Sequence, residues 1–418
     1  MKTILAVLSI VCFFFLSSCE PVYELVQPQF SGESILTNTD SISYKIKMRM
    51  EGVYRVVKGS NQFGEIVVAK WNGETLSLFG RNHGTYFVLK GGSKDTLLLF
   101  EGKWRYAVST ETGLMRMVIN RKTGLDSLLT DTSGTKSFSI VGTFGNESDW
   151  RANEIQLTYI RPFSQTVRNK NYFILAHRGG GRNSDFVGAS ENSLEIISLA
   201  EQLGANGIEI DVMLSKDNIP FLYHDANINL RETKKGLLLG PVENFTIAQL
   251  KSFVELKNGE KIPALREALE HVLYKTNLKF VWLDMKSEKN SMPQVIEIQQ
   301  DILNRAALIG RNLEIMIGLP TDFMLNNLLA YPNYQSLPSL CELSIDQFNS
   351  VNSKVWAPRW TMGTLISEVR SLHSEGKRAF VWTLDQTLFI QQFINESEFD
   401  GILTNYPTIV ASFYYAKE

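Results

Sequence analysis

Between residues 177 and 286 the chain sets ionisable residues at the ends of apolar runs. Glu209 and Asp211 stand two apart within 207–214, and in a strand that spacing turns both carboxylates to one face. Two acids held side by side repel unless a cation lies between them. Asp284 and Lys286 repeat the spacing in 279–286 and add a third oxygen ligand and a positive charge. His177 closes the run 172–177, followed by Arg178 and Gly179-Gly180-Gly181, while His224 follows Phe221-Leu222-Tyr223 and precedes Asp225. A histidine near its ordinary pKa can take or give a proton. A cation, further positive charge and an acid/base pair are what displacement at a phosphodiester needs. Taken singly, each piece has a plainer role: a core histidine, an exposed strand face, a surface ion pair. Their joint occurrence at three strand ends favours the chemical reading.

These residues need a scaffold that presents strand ends together. Beyond Asn171, strand candidates at 172–177, 207–214, 279–286, 313–319, 340–345, 355–359, 379–384 and 401–404 alternate with helical stretches. Eight such units predict a C-terminal (β/α)₈ TIM barrel of the α/β class, with its chemistry at the C-terminal strand ends. A doubly wound sheet would give no reason for chemistry to recur at so many strand ends. Trp382, Trp360 and Tyr406 fall near those ends, where they could wall a pocket or pack the barrel.

Residues 41–165 read differently, as short alternating segments of an all-β antiparallel sandwich or barrel. Candidates are 44–50, 65–69, 75–79, 85–89, 96–101, 105–109, 115–120, 137–142 and 154–161, with an Asn72-Gly73 hairpin turn between the second and third. Trp71, Tyr86, Phe87, Trp104 and Tyr106 could form its core or a face for a glycan or lipid ligand. Polar residues across 161–170 read as a linker to the second domain, 170–418. On that division, a chain starting near Gln165 is expected to fold and work alone.

With 418 residues and 44% hydrophobic composition there is material for two cores. A net charge of −2 without a long basic run argues against nucleic acid as a partner. Lys2 and the apolar stretch 4–16 have the shape of a secretory signal, too short to span a bilayer. It runs into Leu16-Ser17-Ser18-Cys19, which resembles a bacterial lipobox; residues 1–19 are then a signal peptide, Cys19 the lipidated N-terminus and 20–40 a tether. The expected place is the bacterial cell envelope, anchored to a membrane and facing the periplasm or the exterior. Cys341 alone remains in the folded body, so any metal is held by oxygen or histidine.

The ordered set His177-Arg178, Glu191-Asn192-Ser193, Glu209-Ile210-Asp211, His224-Asp225, Asp284-Met285-Lys286, Trp382-Thr383 and 400–407 resembles the glycerophosphodiester phosphodiesterase family across about 172–407. The resemblance implies hydrolysis of a glycerophosphodiester to glycerol 3-phosphate and an alcohol with one divalent cation, Ca²⁺ or Mg²⁺. It implies Glu209, Asp211 and Asp284 as metal ligands, and His177 and His224 as the catalytic acid/base pair. Arg178 and Lys286 then contact the phosphate, and Glu191 and Asn192 brace the ligands; Trp382 is expected to contact substrate from its place near a strand end. Position 284 is often Glu in that family, 405 is usually Asp and 385 commonly Asn; Asp284, Asn405 and Asp385 depart from this. The last two departures bear on substrate fit rather than the chemical core, and Arg182 or Asp185 could reach the substrate. The attacking oxygen can belong to water or to a neighbouring substrate hydroxyl. A surface lipoprotein with a weakly active barrel, binding glycan or lipid through its β domain, is the other reading.

Overall fold

The alternation in the first half closes on itself. The computed structural model describes residues 25–130, 137–181 and 187–418, so Cys19, Arg182 and Asp185 lie outside the described residues. Strands Gly52–Lys58, Ile66–Asn72, Thr75–Gly80, Tyr86–Lys94, Leu97–Arg105, Thr112–Ile119, Ser139–Phe144 and Asn153–Arg161 pair antiparallel in sequence order, and the last returns to the first. Closure settles the choice between sandwich and barrel and leaves no strand edge unpaired. Asn72 pairs with Thr75, so the predicted hairpin turns through Gly73 and Glu74. Trp71, Tyr86, Phe87, Trp104 and Tyr106 are all buried, which removes them as an exposed ligand platform.

Four sequence expectations need correction here. Residues 44–50 are a helix, Tyr44–Met50, because the side chains that turn inward are Lys47 and Met50, three apart, while Tyr44 is 76% exposed. Lys47 is accepted in that buried place by Glu74 (2.6 Å) and the Gly73 carbonyl (3.0 Å). The segment 105–109 is no strand: its first residue ends Leu97–Arg105, and Tyr106 N–H donates to Glu111 across a turn. The expected linker contains a helix, Gln165–Asn169, capped by Ser164 and packed through Val167. Residues 25–40 are not a free tether either, since Arg105 donates to the Val26 carbonyl, Gln27 to Val187, and Phe30 lies under Arg116.

The second half is a closed barrel of eight parallel strands: Phe173–Ala176, Gly207–Leu214, Phe280–Met285, Glu314–Leu319, Ser339–Cys341, Val355–Trp356, Arg378–Val381 and Gly401–Thr404. Pro220–Leu222 adds antiparallel to the second strand. The period of two sorts its side chains. Phe173, Phe280 and Phe380 meet at 5.1–5.5 Å and plug the bottom, under Arg378, which pairs with Glu314 (3.0 Å). Leu175, Trp282, Met316, Leu340, Ala357 and Leu403 fill the interior with them. A Cβ on Gly318 would meet the Trp282 indole at 2.7 Å, so glycine makes room for that ring. Ile208, Ile210 and Val212 face outward into the core under the helices. Among the described residues no helix is long and apolar enough to cross a membrane.

The barrels share a core. All eight residues of helix Pro407–Tyr414 are buried, because one side packs on its own barrel and the other on Thr75–Gly80 of the first. Ile409 and Phe413 join Val68, Phe79 and Tyr86 in one apolar cluster, and Arg81 lies 4.7 Å over Phe413. Gly84, at φ +62°, leaves the gap Ile409 enters; a Cβ there would sit 2.7 Å from it. Removing residues 1–164 strips this cover, at about 2 kcal/mol per large apolar side chain exposed. We therefore expect the shortened chain to melt well below the full chain or to aggregate. Equal thermal midpoints would refute this and restore the expectation of an independent catalytic half.

Candidate active site

Ala176 and Leu175 pair with Ile208 and Gly207, which brings His177, the next residue, to the rim beside Glu209. Asp211 pairs with Asp284 across the neighbouring strands. The inward face of each strand therefore changes from apolar to ionisable as it reaches the C-terminal end. A cavity of about 460 Å³ opens there, lined among others by His177, Arg178, Glu209, His224, Asp284 and Lys286.

Glu209, Asp211 and Asp284 offer carboxylate oxygens that all lie within 4.8 Å of one another. Glu209 and Asp211 are buried, and one oxygen of each of the three acids has no hydrogen-bond partner. Their other oxygens are held: Glu209 Oε2 accepts from the Arg178 amide (2.7 Å), Asp211 Oδ2 from Asn192 Nδ2 (2.8 Å) and Asp284 Oδ2 from Lys286 Nζ (2.5 Å). Burial, then Asp211 and Asp284, pushes the Glu209 carboxyl well above the usual range, and burial raises that of Asp284 against the pull of Lys286. Three converging, buried carboxylate oxygens without a hydrogen-bond partner, that of Asp211 lying 3.7 Å from Lys286 Nζ, fit a hard divalent cation. Burial alone would lower the Lys286 ammonium, but Asp284 and Asp211 together raise it, so it stays charged.

Hydrogen bonds fix the tautomer of both histidines. Asn405 Nδ2 and its backbone amide donate to Asp385 (2.7 and 2.8 Å), leaving Asn405 Oδ1 to accept from His177 Nδ1 at 2.8 Å. His177 Nε2 is then the basic nitrogen and stands 3.8 Å from Glu209. Burial holds this imidazole below its ordinary pKa, with Asp211 opposing. His224 donates from Nδ1 to Asp225 (2.6 Å), which also accepts from Asn229 and Arg231, so its Nε2 is likewise left for the cavity. Glu232 fixes the turn by accepting the His224 and Asp225 amides, and burial, with Glu191 near, pushes its carboxyl up to about 8.

Glu191 precedes the cap Ser193 of helix Leu194–Leu199 and grips the Arg178 guanidinium at 2.9 Å and Arg231 at 3.0 Å. Asn192 both donates to Asp211 and accepts from its amide. Trp382 lines the cavity, its indole N–H bound to the Ala357 carbonyl and its face under Arg359 at 4.6 Å. Trp360 packs instead on Phe389. Sequence reasoning missed Glu342, Arg359, Trp282, Arg231 and Glu232. It also placed Asn405 and Asp385 with substrate fit, whereas they hold His177. Glu342, Arg359 and Asn405 each stand two residues beyond an inward apolar residue, Leu340, Ala357 and Leu403, so carrying the alternation one step past the strand end would have found all three.

Residues 177–409 match the model of the glycerophosphoryl diester phosphodiesterase family. The chain belongs to this family. As a glycerophosphoryl diester phosphodiesterase family member it is a phosphoric diester hydrolase. It is 25% identical over 243 residues to a glycerophosphodiester phosphodiesterase of Caldanaerobacter subterraneus subsp. tengcongensis, covering 56% of this chain and 94% of that one. It is 30% identical over 131 residues to glycerophosphodiester phosphodiesterase 1 of Homo sapiens, covering 29% and 36%. Among solved structures, an Oleispira antarctica phosphodiesterase in complex with the product sn-glycerol-3-phosphate is similar at TM-score 0.47 and 21% identity, over 58% of this chain and 96% of that one.

Proposed function

We propose that the chain hydrolyses glycerophosphodiesters to glycerol 3-phosphate and an alcohol, with a divalent cation, Ca²⁺ or Mg²⁺, on Glu209, Asp211 and Asp284. The observation that carries this is the set of three carboxylate oxygens without a hydrogen-bond partner beside one cavity with two histidines whose Nε2 atoms make no hydrogen bond. When bound, such a cation polarises the phosphoryl oxygens. Lys286 and Arg178 hold the same phosphate, and Glu191 and Asn192 keep Arg178 and Asp211 in place. His177, kept neutral by burial, takes the proton of the attacking oxygen at Nε2. The phosphorus–oxygen bond to that oxygen forms as the bond to the alcohol breaks. His224 delivers a proton from Nε2 to the leaving oxygen, its ring held at Nδ1 by Asp225. Trp382 walls the pocket beside the organic part of the diester.

The test is cation-dependent release of glycerol 3-phosphate by the purified full chain, followed over diesters that differ in the alcohol. Absence of that product with every diester, in folded protein supplied with Mg²⁺ or Ca²⁺, would sink the proposal.

We place the enzyme at a bacterial envelope through a lipid on Cys19, supported by Leu16-Ser17-Ser18-Cys19 after an apolar leader. Expected is membrane-bound wild-type protein and unprocessed or misplaced Cys19→Ser protein. Mass spectrometry finding an unmodified N-terminus downstream of residue 19 would count decisively against it.

A further inference from the structure

The segment after His224 carries apolar side chains that the hydrolase reading does not use. Leu237 and Leu239 are 83% and 79% exposed, Leu230 is 62% exposed and Phe253 50%. The backbone gathers them. Lys234 N–H donates to Glu255 and Lys257 N–H to Glu232, which zips 232–234 against 255–257. The Cβ position of Gly236 is 3.0 Å from the Phe253 carbonyl, so the leucine tip starts beside that ring's backbone. Asn227–Ile228 then pairs with Gly240–Pro241 and brings the tip back toward Leu230. Scattered surface leucines are ordinary, but three on one ribbon with Phe253, at the end of helix Ile247–Phe253, beside them are not.

The rim of this ribbon is basic. Lys234, Lys235, Lys257 and Lys261 are exposed around it. Against them stand Glu255, 3.6 Å from Lys234 and from Lys261, and Glu260, whose carboxylate is taken up by Ser190. Net positive charge around exposed leucines, on a chain of net charge −2, complements an anionic lipid surface rather than water or a neutral bilayer. The ribbon is also fastened to the site. Arg231, next to Leu230, binds Asp225 and Glu191, the partners of His224 and Arg178.

We propose that Leu230, Leu237 and Leu239 of the ribbon, with Phe253 beside them and Leu238 turned inward, insert into the interfacial layer of a bilayer bearing anionic headgroups, with the surrounding lysines on those headgroups. The active-site mouth then works against a lipid surface. This goes beyond the hydrolase reading and does not depend on it.

Protein beginning at Glu20 keeps every described residue and lacks the apolar leader and Cys19, so its own surface is what is tested. It is floated with vesicles of phosphatidylcholine, alone or with phosphatidylglycerol added. We expect binding to the anionic vesicles, weakened on the order of tenfold or more by Leu237→Ser with Leu239→Ser. Lys234→Glu with Lys235→Glu should remove the preference for phosphatidylglycerol, as should high salt. Unchanged melting and unchanged hydrolysis of a water-soluble diester would show that both variants are folded. No binding to either vesicle, or binding indifferent to the leucine changes, overturns the proposal. So does a leucine variant that alters self-association and leaves vesicle binding intact, since the patch would then be a protein contact. Loss of the hydrolase reading leaves the flotation result untouched.

Discussion

His177→Ala and His224→Ala proteins are each expected to fold and to lose turnover by on the order of 10² to 10⁴. The two losses should differ in kind. His224 is assigned the proton for the departing alcohol, and an alcohol that leaves well as its anion needs none. On a diester with a p-nitrophenyl leaving group, His224→Ala should recover most of its rate relative to wild type, and His177→Ala should not. The opposite pattern would exchange the two roles. Near-normal turnover by folded His224→Ala protein on an alkyl diester would remove it from the mechanism.

Exhaustive removal of divalent cations is expected to lower turnover on the order of 10³-fold, and Mg²⁺ or Ca²⁺ to restore it. Several kcal/mol of transition-state stabilisation rests on the cation, at about 1.4 kcal/mol per tenfold. Glu209 and Asp211 are buried with Asp284 close by and Lys286 as the fixed countercharge, so loading should also raise the melting temperature. Glu209→Gln should weaken cation affinity and abolish most of that rise. Asp284 is one methylene shorter than glutamate, and Asp284→Glu protein, titrated with both ions, would show whether that length sets the preference. Full activity after complete chelation would exclude the arrangement.

Much of the site was legible because a β-strand has a period of two. Glu209 and Asp211 had to face one way, and their neighbours Ile208, Ile210 and Val212 the other, whatever the rest of the chain did. The eight parallel strands were legible for the same reason, each being a buried run between helical stretches. Contacts supplied by loops were not. Nothing in the sequence near Arg231 announces that it joins Glu191 to Asp225, because forty residues separate the first pair. The helix Tyr44–Met50 was misread because its apolar letters alternate at 44, 46, 48 and 50. Seven residues are too few to separate the two periods, and the deciding buried residue is a lysine. The role of Asn405 was hidden differently: its amide matters for which nitrogen of His177 carries the hydrogen, and that follows only from Asp385 standing behind it.

The helix Pro407–Tyr414 joins both barrels, and this has a bearing on the order in which the protein assembles. The eight antiparallel strands are made first and can close from residue 52 to residue 161 without help from anything downstream. Their outer face at Val68, Phe79 and Tyr86 then lacks the part of its cover given by Ile409 and Phe413 until residues 407–415 have been synthesised. The parallel barrel likewise needs its eighth strand, Gly401–Thr404, to meet Phe173–Ala176. Ring closure and domain docking thus wait for the same late stretch of chain, and a ribosome paused before it holds two half-finished bodies with apolar faces open to whatever chaperone stands nearest.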